Sequence, residues 1–165
     1  MSSYALNAEN ILNAMRNYLG DDERRKNHAE AVFDYACTIQ KQEGGDICVV
    51  MAAAALHDIG IHEAERKYNS AAGNYQEIEG PPIARDILKK FDVNSEQIEH
   101  ICKIIANHHS ARDIDTVEFR AIWDADWLVN IPDEFDLNDK DKINKLINRN
   151  IKTDTGKKLS QKFFI

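Results

Sequence analysis

Along almost the whole chain apolar residues recur at steps of three and four, the spacing of helices with one buried face. Ile11, Leu12, Met15 and Leu19 form the first such stripe, with Asn7 placed to cap it and Gly20 to stop it. Ala29, Val32, Phe33, Ala36 and Ile39 form the second, on a long helix expected from Asp21 or Asp22 to Gln42. Residues 49–56, Val-Val-Met-Ala-Ala-Ala-Ala-Leu, have almost no polar face. That helix, capped by Asp46 after the Gly44-Gly45 break and ended by Gly60, is therefore expected at the centre of the fold. Residues 62–76 read as a short helical turn running into a flexible loop. Pro82 then opens a helix to Phe91. Asn94 or Ser95 caps another that carries Ile98, Ile101, Ile104 and Ile105, and further helices are expected over 117–129 and 139–150. From Thr153 the chain is polar, with Lys157, Lys158 and Lys162, and is expected to fray. No alternating pattern and no repeat is visible. The expectation is an all-α, single compact helical bundle of about six to seven helices, one domain over residues 1–165.

Composition fits this picture: 165 residues can bury a sizeable core, and 43% hydrophobic with 30% charged residues is not the balance of a disordered chain. No uninterrupted apolar run reaches the ~20 residues of a bilayer span, and the start Met-Ser-Ser-Tyr-Ala-Leu-Asn lacks a charged region followed by an apolar one. A cytoplasmic protein without membrane contact is expected. Cys37, Cys48 and Cys102 are far apart in apolar helical contexts, which reads as buried reduced thiols rather than a zinc element. A formal charge of −7 argues against a nucleic-acid polymer as partner, because phosphate binding along a strand needs a basic stripe. Any anion recognised must be small and met locally.

The chemistry concentrates at His57-Asp58, where the most apolar helix ends. An imidazole beside a carboxylate in an apolar interior is costly unless the pair is bonded or holds a metal. The bland alternative is a surface pair in which a protonated His57 favours the helix C-terminus. His28, one position before Ala29 and four before Val32, lies at the edge of the second buried stripe, where an inward-pointing ligand belongs.

These residues resemble the HD superfamily of metal-dependent phosphohydrolases, whose pattern is a His, a His-Asp pair and a distant Asp. The matching positions are His28, His57-Asp58 within His-Asp-Ile-Gly, and Asp126 in Ala-Asp-Trp-Leu, and the resemblance extends over roughly residues 20–130. It implies a divalent transition metal, one or two ions, held by His28, His57, Asp58 and Asp126. Some branches add two ligands, one in a His-Gly-Pro element and one at the end of the next helix. Here Glu79-Gly80-Pro81 and His108 stand in those places, with His109 a possible extra ligand. Glu79 departs from the pattern and reads equally as a helix-start carboxylate ahead of Pro81-Pro82. Asp124 and Asp126 lie about 200° apart on a helix, so only one faces the ion. The family pattern selects Asp126, and Asp124 is left to orient a ligating histidine. Imidazole and carboxylate donors suit Fe, Mn, Co, Ni or Zn without choosing among them.

The resemblance implies hydrolysis of a small phosphoester or nucleotide by a metal-activated hydroxide, with Asp58 at the reacting centre. An HD-type di-iron oxygenase and a non-catalytic metal-binding or sensing module are the alternatives. Arg66, Lys67 and Arg112 are the candidate cations for the anionic substrate, His62 a candidate proton shuttle, and 69–74 a candidate lid. No Gly-rich phosphate loop names the substrate.

Overall fold

A computed structural model describes residues 5–165, so the first four residues of the N-terminal stretch read above lie outside it. Nine helices follow one another among the described residues: α1 Ala8–Leu19, α2 Glu23–Glu43, α3 Ile47–Leu56, α4 Ile61–Tyr68, α5 Gly73–Leu88, α6 Ser95–Ile105, α7 Val117–Glu134, α8 Lys140–Asn150 and α9 Asp154–Phe164. No strand occurs among the described residues. The all-α expectation therefore stands, while six to seven helices undercounts the bundle.

Helix starts are written in side chains that replace the missing backbone partners of the first turn. Asn7, Asp22, Asp46, Asn94, Thr116, Asp139 and Thr153 each accept a backbone N–H one turn on, and Asn94 forms a full capping box with Gln97. α3 is the axis of the fold: Ala52, Ala53, Ala54 and Leu56 are wholly buried, with α2, α6, α1 and α7 packed around them. Small side chains let those helices approach closely, and α2 packs along α7 to bring His28 opposite Asp126. The span Ile47–Tyr68 is long and apolar enough to cross a bilayer, yet 67% of its most apolar stretch is buried in the bundle and a turn at 57–60 divides it. Its hydrophobicity serves as core.

Three boundaries differ from expectation. α5 begins at Gly73 rather than Pro82 and runs through both Pro81 and Pro82, so Glu79 is an interior residue of a helix and not its first turn. Of the lid stretch 69–74, only 69–72 is outside a helix. α7 continues past Val129 through Pro132 to Glu134.

The fourth difference is the tail, which is a helix and not a frayed end. Thr153 caps it through Gly156 N–H, and the backbone N–H and hydroxyl of Thr153 both donate to Asp124 at 2.7 and 2.6 Å. Lys157, Lys158 and Lys162 lie on its exposed side, while Gly156, Ser160 and Phe164 are buried. Of the three thiols only Cys102 is fully buried, and all three are unpaired. Burial pushes Cys37 up to about 11, so it stays protonated.

Gly60 and Gly80 meet where α4 crosses α5. A Cβ on Gly60 would stand 2.5 Å from Gly80 N and 2.9 Å from Gln76 O, which are backbone atoms with no freedom to yield. Gly60→Ala is therefore expected to cost at least ~2 kcal/mol through forced helix separation, read as a lowered denaturation midpoint in urea. An unchanged midpoint would show that this contact is loose.

Candidate metal centre

The two inward histidines that end apolar helices are held by the same local device. His57 Nδ1 donates to the Ala54 carbonyl at 2.7 Å, and His108 Nδ1 donates to the Ile105 carbonyl at 2.7 Å. A carbonyl only accepts, so each ring carries its proton on Nδ1 and aims an unprotonated Nε2 inward when neutral. A backbone carbonyl behind a ring is the usual way a protein fixes a ligating imidazole.

Those nitrogens converge with groups from α2 and α7. His57 Nε2 lies 3.3 Å from His28 Nε2 and 3.3 Å from Asp58 Oδ2. His28 Nε2 is 3.0 Å from Asp126 Oδ1 and 3.5 Å from Asp58 Oδ2, and Asp126 Oδ1 is 3.7 Å from His57 Nε2. Asp58 Oδ1 faces His108 Nε2 at 3.2 Å. Two donor groups result, His28–His57–Asp58 and Asp58–His108–His109, each with ligand atoms within 4.8 Å of one another and Asp58 common to both. Three ring nitrogens and two carboxylates pointed at one small space are the donor set of a hard or borderline divalent ion, and the residues fit one.

The charges of these groups act on one another. Burial disfavours a charged His57, but the carboxylates of Asp58 and Asp126 outweigh it and push the ring up to about 9. Burial likewise opposes ionisation of Asp58, and His57 and His108 overcome it to hold that carboxyl well below the usual range. A cation is what this arrangement favours, whether proton or metal. Asn130 Nδ2 donates to Asp126 Oδ1 at 3.0 Å and so orients the acid.

The cluster lies in a cleft of about 780 Å³ whose wall includes Arg24, Arg25, Gln76, Asn130, Asp133 and Glu134. A second chamber of about 200 Å³ shares Asp126, His109, Asn130 and Glu134 with it and is closed by Trp123 and Trp127.

Several expected site residues are not brought here. Glu79 is buried between Lys67 Nζ at 3.0 Å and the Tyr68 hydroxyl at 2.8 Å, and it lines a different cavity. The α5 side chain that meets a histidine ring of the cluster is that of Gln76, one turn earlier, whose Nε2 donates to the Ala71 carbonyl while Oε1 lies 3.3 Å from His109 Nε2. His62 Nε2 is 2.8 Å from Asp22 Oδ2, Arg66 forks onto Glu63, Lys67 is held by Glu79, and Arg112 is exposed 3.8 Å from Glu77. None of these four lines the cleft. Asp124 orients no histidine and instead ties α7 to residues 152 and 153. Nearness in sequence to the cluster selected cations that do not line the cleft. Arg24 and Arg25, four and three residues before His28, share its helix face, a spacing that was open to view. Glu77, which accepts from the backbone N–H groups of His109 and Ser110 at 3.0 and 2.8 Å and so anchors the segment after His108, had no sequence signal.

An all-helical bundle in which a His, a His-Asp pair and a distant Asp converge defines a class of metal-site scaffold. The HD domain model matches residues 25–131, and the chain belongs to that family. Solved structures agree on the fold. A predicted HD superfamily hydrolase from an uncultured Thermotogales bacterium superposes with a TM-score of 0.68 at 22% identity, covering 93% of this chain and 83% of that one. An HD-superfamily hydrolase from Bacillus thuringiensis gives 0.66 at 22% identity, covering 93% and 87%. A protein from Listeria innocua gives 0.62 at 22% identity, covering 96% and 92%. No curated protein matches the chain.

Proposed function

We propose that the protein is a metal-dependent phosphohydrolase acting on a small phosphoester, in the cytoplasm, where three unpaired thiols are at home. The observation that carries this reading is the convergence of His28, His57, Asp58 and Asp126 at an open cleft, with two rings locked by backbone carbonyls. His28, His57, Asp58 and Asp126 would hold a divalent transition ion, with Asp58, His108 and His109 available to a second, and the chemistry such an ion would supply is acidification of a water and polarisation of a phosphoryl oxygen. The chain's own groups do the rest. Arg24 is free of ion pairs among the described residues and offers its charge to a phosphate, whereas Arg25 is held by Asp22 at 2.8 Å and Glu65 at 2.6 Å and supplies a fixed edge. Asn130 keeps Asp126 in register, and Gln76 does the same for His109. The hydrolase names of two structural neighbours are consistent with this reading.

The test is hydrolysis by protein reconstituted separately with Fe(II), Mn(II), Co(II), Ni(II) and Zn(II), against phosphomonoesters, phosphodiesters and nucleotides. Turnover that chelation abolishes, with Arg24→Ala raising KM more than it lowers kcat, is expected. No turnover by any metallated form, with dioxygen consumption by the iron form, would replace this reading by the oxygenase.

A further inference from the structure

The cleft is divided by charge. Arg24 and Arg25 stand on the α2 side, Asp133 and Glu134 at the end of α7, and the His/Asp cluster lies in the same cavity. Neither Asp133 nor Glu134 forms an ion pair with a described residue, and both are exposed to the cleft. Glu134 also enters the smaller chamber, whose wall is Trp123 and Trp127 on one part and Asn130 with the cluster residues His108, His109 and Asp126 on the rest, so that the chamber adjoins the candidate metal centre directly. Indole faces beside a free carboxylate attract an organic cation, through the ring quadrupole and through the charge. One face of the Trp123 ring already carries a cation, Lys152 Nζ at 5.0 Å from its centroid, and Lys152 itself does not line the chamber.

From these observations we infer that the Trp123–Trp127–Glu134 chamber binds an alkylammonium group, and that the substrate is a phosphoester carrying a cationic nitrogen at the end opposite its phosphate. The second half rests on the phosphohydrolase reading; the first rests on the chamber alone. In such a molecule the phosphate meets Arg24 and the cluster, and the ammonium meets Glu134 and the indoles. At about 200 Å³ the chamber is of a size to admit a small alkylammonium group, with the larger cleft left for the rest of the molecule. Asp133 and Glu134 also repel an extended polyphosphate, which disfavours nucleoside triphosphates. The chain has two tryptophans and both line this chamber, so its intrinsic fluorescence reports occupancy.

The experiment titrates the protein as purified with choline and with 3,3-dimethylbutan-1-ol, its uncharged isostere, following tryptophan fluorescence and calorimetric heat together. Choline is expected to bind with a change in both signals, the alcohol at least about tenfold more weakly, and Glu134→Gln to weaken choline by about tenfold. Glu134 is exposed at the end of α7, so this variant keeps its fold. No heat and no fluorescence change with choline, or equal binding of the alcohol, overturns the inference. So does a nucleoside monophosphate that binds more tightly than choline and equally well to Glu134→Gln, an outcome that assigns the chamber to base stacking. Choline carries no phosphate, so the two readings fail separately. Choline binding without phosphoester turnover overturns only the hydrolase and the substrate built on it, and turnover without choline binding overturns the cation site.

Discussion

Asp58→Ala is expected to reduce hydrolysis by on the order of 10³-fold or more in protein supplied with excess metal, because loss of a metal ligand exceeds the effects of losing an outer-shell partner or a single oxyanion donor. The reason lies in its position. Its two oxygens face different histidines, Oδ2 toward His57 and His28 and Oδ1 toward His108, so one substitution removes a donor from both ligand groups. It also removes the anion that stabilises a protonated His57, leaving a fully buried ring with only the more distant Asp126 for compensation. Of the cluster residues Gln76 meets only His109, besides its bond to the Ala71 carbonyl, and Gln76→Ala is expected to lower activity far less. The check is kcat/KM for both variants on one substrate, and equal losses would mean that Asp58 has no special place in the cluster.

Asp124→Ala is expected to destabilise the protein by about 2–4 kcal/mol while leaving kcat per folded molecule nearly unchanged, because it strands the buried N–H and hydroxyl of Thr153 and frees the part-buried N–H of Lys152. Asp124 is wholly buried and accepts Lys152 N–H at 2.8 Å, Thr153 N–H at 2.7 Å and the Thr153 hydroxyl at 2.6 Å. Burial raises its pKa, and these three donors work against that rise. Removing the carboxylate releases the start of α9, so the melting temperature is expected to fall by about 5–15 °C for a chain of this size, with new proteolytic cleavage near 151–153. Thermal denaturation and limited proteolysis provide the measurement. A stable Asp124→Ala protein with impaired turnover would return Asp124 to the role of orienting the site.

The contrast between Asp124 and Asp126 shows how far the sequence could be read. A helical period places them on opposite faces, and the resemblance to the family pattern selects Asp126, the one near His28. It does not say what the other face meets, because α9 returns to Asp124 only through packing of the tail, whose exposed lysines hide its buried Gly156, Ser160 and Phe164. His28 and His57-Asp58 were legible because they mark the edge and the end of buried stripes, whereas Asp126 was singled out by its resemblance to the family pattern. Glu79 was misplaced by a boundary. Two prolines read as a helix start, whereas α5 had begun at Gly73 and turned Gln76, rather than Glu79, toward His109. Asp133 and Glu134 were missed for the converse reason, since Pro132 does not end α7. Seven and eight residues beyond Asp126, they return to its face two turns on. Gly60, prominent in its motif, gains its reason only from Gly80 across the α4–α5 contact.

The central claim is that this cluster is a metal centre, and the most direct measurement is elemental analysis of the wild type and Asp126→Ala after reconstitution with excess Fe, Mn and Zn and removal of unbound ions. The wild type is expected to retain one or two equivalents of a transition metal, and Asp126→Ala to retain substantially less and to melt at a lower temperature than the metallated wild type. A wild type that retains none, or a variant that retains as much, would contradict it.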